Sequence, residues 1–237
     1  IDGKTMRGSR ITGSNLVTHI VSAWADKNNL ILGQVKVEEK SNEITAIPKL
    51  LDMLLIKGTT ITIDAMGTQT LIAKKIVSKG ADYILALKGN QGELFDDVKD
   101  SFKVIKPSDI QQDIDGDHGR VETRKCSVIT DLTLVASAKK WKGLKSIVCI
   151  ERTRYFKATG KQEEETSFYI STHDDAKIIA NGIRKHWGIE NKVHWVLDVI
   201  FHEDSSRKRT GNSAKNFTNL NRIALNILRK DDKKVSL

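Results

Sequence analysis

The spacing of hydrophobic and polar positions changes several times along this chain. From Leu16 to Ala25 and from Leu30 to Val37, β-branched runs flank the polar Asp26-Lys27-Asn28-Asn29, which predicts an antiparallel hairpin. Ile44, Ile47, Leu50, Leu51, Leu54 and Leu55 then recur at helical spacing up to Gly58, a C-terminal stop. Thr59 to Asp64 reads as a β-branched strand ending at an acid, followed after Gly67 by a helix from Thr68 to Ser78 and a second strand from Asp82 to Leu87. Strand, helix, strand implies a parallel pair within a mixed sheet. Between His118 and Thr172 the pattern becomes β-like, at Val128-Ile129, Leu132 to Val135, Ser146 to Ile150 and Ser167 to Ser171. Helical periodicity returns through Ile178, Ile179, Ile183 and Trp187, and again from Asn212 to Arg229. The whole predicts one α/β domain over residues 1–237, its core formed by 1–117 and 173–237 and interrupted by a β-rich insertion at 118–172.

Composition narrows what such a domain could do. With 237 residues and 39% hydrophobic content the chain can bury a sizeable core. Its 39 Lys and Arg against 30 Asp and Glu give a formal charge of +9, which attracts a polyanion, nucleic acid first among them. A ribosome-associated or merely soluble basic protein satisfies the charge equally well. Cys126 and Cys149 are not spaced as a zinc-finger pair, and no apolar run approaches the roughly 20 residues that span a bilayer. A reduced, cytoplasmic setting is expected, with no membrane contact. The opening Ile-Asp-Gly-Lys has neither Met nor a signal-peptide pattern, so the sequence reads as a fragment lacking an N-terminal domain.

Two acids stand out as candidate chemistry. Asp64 closes a predicted central strand, where open α/β sheets place functional groups, although Asp also commonly caps a turn leaving a strand. Glu190 lies in an unusually apolar and aromatic helical segment, in which 100° per residue puts Trp187, Glu190, His194 and Asp198 on one side. A carboxylate in such surroundings needs a metal or an ion pair, and Arg184 or Lys192 could supply the pair. Asp2 could end a first strand. Brought together, three carboxylates could hold two Mg²⁺ ions about 4 Å apart, as phosphodiester chemistry uses them.

Several blocks in one order then carry a resemblance over nearly the whole chain. These are Asp2-Gly-Lys, Thr62-Ile-Asp-Ala-Met-Gly-Thr-Gln69 and Tyr83-Ile-Leu-Ala-Leu-Lys-Gly-Asn-Gln91, then His118-Gly-Arg120 with Glu122 and Arg124. His186-Trp-Gly-Ile-Glu-Asn191 comes next, with His194-Trp195 and Leu197-Asp198-Val199 behind it. Together they resemble the H-repeat-associated family of bacterial insertion-sequence DDE transposases. The resemblance implies a ribonuclease-H-like mixed sheet flanked by helices, with a β-rich insertion before the helix that carries the catalytic Glu. It further implies that Asp2, Asp64 and Glu190 are catalytic, holding Mg²⁺ or Mn²⁺, two ions, to cut an insertion sequence's DNA strand and transfer it. The wider group's Tyr-x2-Arg-x3-Glu-x6-Lys signature is not met, since Ile183, His186 and Leu197 occupy the other three places around Glu190.

DNA is thus the expected partner, both element ends and target, with a homodimer assembled on it and a nucleoid-associated location. Candidate DNA contacts are Lys4, Arg7, Lys88, Asn90, Gln91, His118, Arg120, Arg184, His186, Trp187, His194, Arg207 and Arg209, with His186 and His194 equally readable as ordinary packed or surface histidines. Asn191 and Asp198 are expected to support the site from behind, Asp198 being a rival for the third metal ligand. A degenerate DNA-binding relic, and a ribonuclease-H-like nuclease without strand transfer, meet the same residues.

Overall fold

The computed structural model describes residues 1–10, 17–38, 41–117 and 119–230. The chain divides into two compact units, one formed by Ile1–Leu55 with Lys185–Leu237 and the other by Ile56–Arg184. This division falls elsewhere than the expected insertion at 118–172.

In the first unit, β1 (Asp2–Met6), β2 (Thr18–Ala25) and β3 (Leu30–Lys36) form an antiparallel sheet in the order β1-β2-β3. The predicted hairpin is β2–β3, turned by Asp26–Asn28 in a 3-10 bend that ends with Asn29 in the left-handed region at φ 50°. Asp2 does not end a strand as expected, because β1 runs onward from it and Asp2 pairs with Ser22. Helix α1 (Glu43–Asp52), capped by the Asn42 side chain accepting from the Ile44 amide, packs on β2 and β3 and buries Ile47, Leu50 and Leu51.

A second core joins β3 to the C-terminal helices, with Ile31, Ile189, Val193, Val196, Leu197 and Leu225 closing around one another. Helix α6 (Ser213–Leu228) is fixed to β3 by one side chain: Asn226 Oδ1 accepts from the Ile31 N–H at 2.9 Å and its Nδ2 donates to the Ile31 carbonyl at 2.8 Å. A strand edge is thereby satisfied without a further strand. Glu203, fully buried, accepts from Thr218 Oγ1 at 2.6 Å and pairs with Arg222 at 3.0 Å, which fastens the segment before α6 to that helix.

The second unit is built on a mixed six-stranded sheet, order β4-β5-β9-β8-β7-β6, from β4 (Thr60–Ile63), β5 (Asp82–Leu87), β6 (Asp109–Asp117), β7 (Arg120–Ile129), β8 (Ser146–Phe156) and β9 (Gln162–Ser171). β4 and β5 run parallel through the crossover helix α2 (Thr70–Ser78), as the strand, helix, strand pattern predicts. All other pairings are antiparallel. The β-rich stretch is therefore an extension of this sheet, because β9 pairs directly with β5. Leu132 to Val135 forms turns rather than the expected strand.

Alternation along β7 and β8 puts Cys126, Val128, Val148 and Ile150 on one face, where α4 (Ala176–Ile189) lays Ala176, Ile179 and Ile183 against them. The Asp109 carboxylate caps this helix by accepting from the Ala176 amide at 2.8 Å. Helix α3 (Glu93–Val104), which the apolar periodicity leaves unassigned, covers the opposite face, with Phe95 and Phe102 on Phe168 at ring separations of 5.7 and 6.0 Å.

The chain continues from α4 through a π-helical turn, Glu190–His194, into α5 (Trp195–Val199), the Trp195 N–H bonding to the Glu190 carbonyl five residues back. Packing around the imidazoles withholds water from their protonated forms and pushes the pKa values of His186 and His194 down to about 3, with the Arg222 and Lys4 cations acting in the same direction at His194.

Both features bear on stability. Asn226→Ala leaves both polar groups of Ile31 unmet, so urea unfolding should show a loss of about 1–3 kcal/mol; an unchanged midpoint would mean that α6 is held by packing alone. The unfolded chain protonates its histidines near pH 6.5, whereas the folded one holds His186 and His194 neutral down to about pH 3. Stability is therefore full above pH 6.5 and declines as the pH falls toward 3. His194→Gln should flatten that decline in urea midpoints, and an equally steep decline in the variant would place the titration elsewhere.

Candidate metal centre

Asp64 comes directly after the last residue of β4, at the carboxyl end of a strand whose alternate β-branched side chains keep it extended beside β5. The carboxylate is half-buried, and its Oδ1 accepts from the Gly67 amide at 3.2 Å. That is an Asx-type turn, so the bland reading of Asp64 as a turn-capping residue is satisfied by one oxygen. Its Oδ2 takes no partner among the described residues. Thr68, fully buried, donates its hydroxyl to the Ala86 carbonyl at 2.6 Å, which closes the turn against the end of β5. Asn90 and Gln91, expected as DNA contacts, direct their amides at the same turn, toward the Ala65 carbonyl at 3.0 and 3.3 Å.

Glu190 opens the π turn and is exposed, without an ion pair or hydrogen bond among the described residues. The ion pair weighed for it is absent because both cations are engaged elsewhere, Arg184 with Asp115 at 2.8 Å and Lys192 with Asp26 at 3.3 Å. Nor does the expected single side hold. The extra residue in the wide turn rotates the succeeding residues by roughly the 100° that one residue subtends, and His194 is buried while Glu190 and Trp187 are exposed.

Asp2 lies 3.4 Å from Nδ1 of His194, a neutral imidazole at ordinary pH. The glycine after it leaves room for two polar side chains. A Cβ on Gly3 would fall on the Glu43 carboxylate and the His19 imidazole, which are bonded to each other at 2.7 Å with Thr5 on the other ring nitrogen. Lys4 is buried rather than presented to a polyanion: its ammonium bridges Asp198 at 2.6 Å and Asp204 at 3.0 Å. Asp198 is thereby paired with a lysine.

The remaining basic candidates sort by what they already hold. Arg7 is 86% exposed and 3.7 Å from Asp204, Lys88 and Arg207 are exposed, and Arg209 donates to the Gly8 carbonyl at 3.2 Å. Arg120 lies 3.9 Å from Glu122, whose buried carboxylate also takes Arg124 at 2.9 Å and Arg152 at 3.2 Å. His194 is buried and His186 partly buried, and both imidazoles are neutral at ordinary pH. Asn191 is exposed, and His118 lies outside the described residues.

Asp2 and Glu190 belong to the first unit and Asp64 to the second, and among the described residues no three His, Cys, Asp or Glu side chains form a group that could hold a metal ion. What the three offer is chemical: oxygen donors only, suited to Mg²⁺ or Mn²⁺, with Glu190 and one oxygen of Asp64 uncommitted. Sequence reasoning missed Glu203 and the lysine bridge, since neither a buried acid nor a bridging cation leaves a local pattern.

A family model described as "Transposase DDE domain" matches residues 1–227. The chain is 46% identical over 239 residues to "Putative transposase YncI" of Escherichia coli O157:H7, covering 97% of this chain and 61% of that protein. It is 42% identical over 244 residues to "H repeat-associated putative transposase YhhI" of Escherichia coli K12, covering 98% of this chain and 64% of the relative. The chain thus spans about three fifths of the length of these relatives. Among the described residues no helix is long and apolar enough to cross a membrane. With a mixed sheet flanked by helices, as in a ribonuclease-H-like domain, and a match along almost its entire length, the chain belongs to the DDE-domain transposase family.

Proposed function

We propose that this chain carries out the catalytic steps of DNA transposition, with Asp2, Asp64 and Glu190 as ligands for Mg²⁺ or Mn²⁺. The observation that carries the reading is the condition of Glu190 and Asp64: an exposed carboxylate with no ion pair among the described residues and a half-buried one with an open oxygen, both inside sequence blocks that resemble the family. Two divalent cations, when bound, would activate the attacking oxygen and stabilise the leaving one.

In the first step a water oxygen bonds to the phosphorus and the phosphorus–O3′ bond breaks, leaving a 3′-hydroxyl and a 5′-phosphate. In the second, that 3′-hydroxyl attacks a phosphorus of target DNA and displaces a target 3′-hydroxyl, with no net change in the number of phosphodiester bonds. The residues of this chain bind and orient. Asp64 is held by its turn, and Asp2 lies 3.4 Å from His194. Arg7, Lys88 and Arg207, exposed cations on a chain of charge +9, take DNA phosphates. Because two element ends must be joined to one target, a dimer on DNA is part of the proposal.

Supercoiled plasmid with Mn²⁺ tests it. The wild-type protein should nick the plasmid and join a labelled 3′ end to a target duplex. Asp64→Asn and Glu190→Gln should lose more than the roughly 10–100-fold that removal of an outer partner costs a metal site, while still binding DNA. Nicking without joining would make the chain a nuclease, and DNA binding by a wild type that never cleaves would make it a relic.

A further inference from the structure

The turn that leads away from Asp64 is polar backbone at the end of a short strand, and its carbonyls need donors from outside the turn. Three side chains supply them, one from within the turn and two from the segment after β5. Thr68 Oγ1 lies 3.1 Å from the Asp64 carbonyl while donating to Ala86. Asn90 Nδ2 donates to Ala65 at 3.0 Å, and Gln91 Nε2 lies 3.3 Å from that carbonyl and donates to Thr68 at 2.8 Å. A 3-10 bend at Gly89–Gln91 brings the two amides to the same carbonyl, the Gln91 N–H returning to the Lys88 carbonyl at 2.9 Å. The Asp64 side chain is tied to the same turn through the Gly67 amide, which is one residue from the carbonyl that Gln91 grips. All of these residues belong to one unit.

We propose that Asn90 and Gln91 are positioning residues: their amides clamp the Ala65–Thr68 backbone and so fix the direction of the Asp64 carboxylate. The chemistry of the clamp is directional. Both side chains act as donors to carbonyls, a role that an amide fills and a carboxylate of the same shape cannot. Lys88, in the same segment, is exposed. The clamp is preorganisation, set before any cation arrives, so its loss appears as weaker metal binding rather than as a slower saturated reaction.

The clamp rests on the reading of Asp64 as a metal ligand, and the experiment separates the two. Gln91→Glu and Asn90→Asp keep size and shape while turning an oxygen toward the carbonyls. Mn²⁺ binding is monitored by the loss of its free-ion electron paramagnetic resonance signal, and exchange of the Gly67 and Thr68 amides by nuclear magnetic resonance in the absence of metal. In Gln91→Glu the Mn²⁺ Kd should rise about 10–100-fold and the Mn²⁺ needed for half-maximal nicking should rise equally, with the rate at saturating Mn²⁺ held. The Gly67 and Thr68 amides should exchange faster, and Asn90→Asp should show the same changes to a smaller degree. A variant with wild-type Mn²⁺ affinity, when Asp64→Asn has lost it, overturns the clamp and leaves Asp64 a ligand. A wild type that binds no Mn²⁺, or an Asp64→Asn variant that binds it as tightly as wild type, overturns the ligand reading instead. The amide exchange then decides the clamp by itself, wild-type rates in Gln91→Glu being against it.

Discussion

In a chain with 39 lysines and arginines, a carboxylate that stays open has to be kept from the cations around it. An exposed acid and base pair whenever their side chains reach, for little energy but readily. The fold meets this constraint by committing its cations. Lys4 goes to Asp198 and Asp204, Arg184 to Asp115, Lys185 and Lys192 to Asp26, and Arg222 to Glu203. Glu190, whose nearest cations in sequence are among these, is left open. The structural ion pairs matter here less for stability than for the acids they spare.

The same division of labour accounts for the proposed site lying in blocks rather than in isolated residues. Asp2 is followed by Gly3, where a β-carbon would displace the Glu43–His19 pair, and by Lys4, which ties β1 to Asp198 and Asp204. Asp64 sits in Thr62 to Gln69, and the second block, Tyr83 to Gln91, supplies both the β5 carbonyl that Thr68 meets and the amides on Ala65. Two segments separated in sequence are in this way one turn and its support. In each case the neighbours of the acid are the groups that hold its backbone.

Much of the frame was legible because it rests on local periodicity. The β2–β3 hairpin, α1, the β4–α2–β5 crossover and α6 each follow an unbroken spacing of apolar residues, although α1 ends at Asp52, ahead of the expected stop at Gly58. Leu132 to Val135 reads as strand from its composition, but only Val135 is buried and no neighbouring strand pairs with the segment, so the backbone turns instead. Helix α3 is hidden by its own composition, four acids and two lysines interleaved with a few apolar residues. At the site, residue types pointed to the acids, and the partners were the part that spacing could not give. Nothing in the sequence marks the carbonyls that Asn90 and Gln91 meet, or the burial of Lys4.

The π turn at Glu190 shows why a regular helix would serve this site badly. In unbroken α geometry, residues four apart share a face, so Glu190 would turn with His194 and Leu197 toward the core they help to build. A carboxylate moved in that direction loses water, rises in pKa and then requires a cation of its own, which would close it to a metal. Inserting one residue separates the two demands. Val193, His194, Val196 and Leu197 turn inward, while Glu190 remains in solvent. The poorer hydrogen-bond geometry of a wide turn is a local cost, and what it maintains is an acid beside a hydrophobic core that is not part of that core.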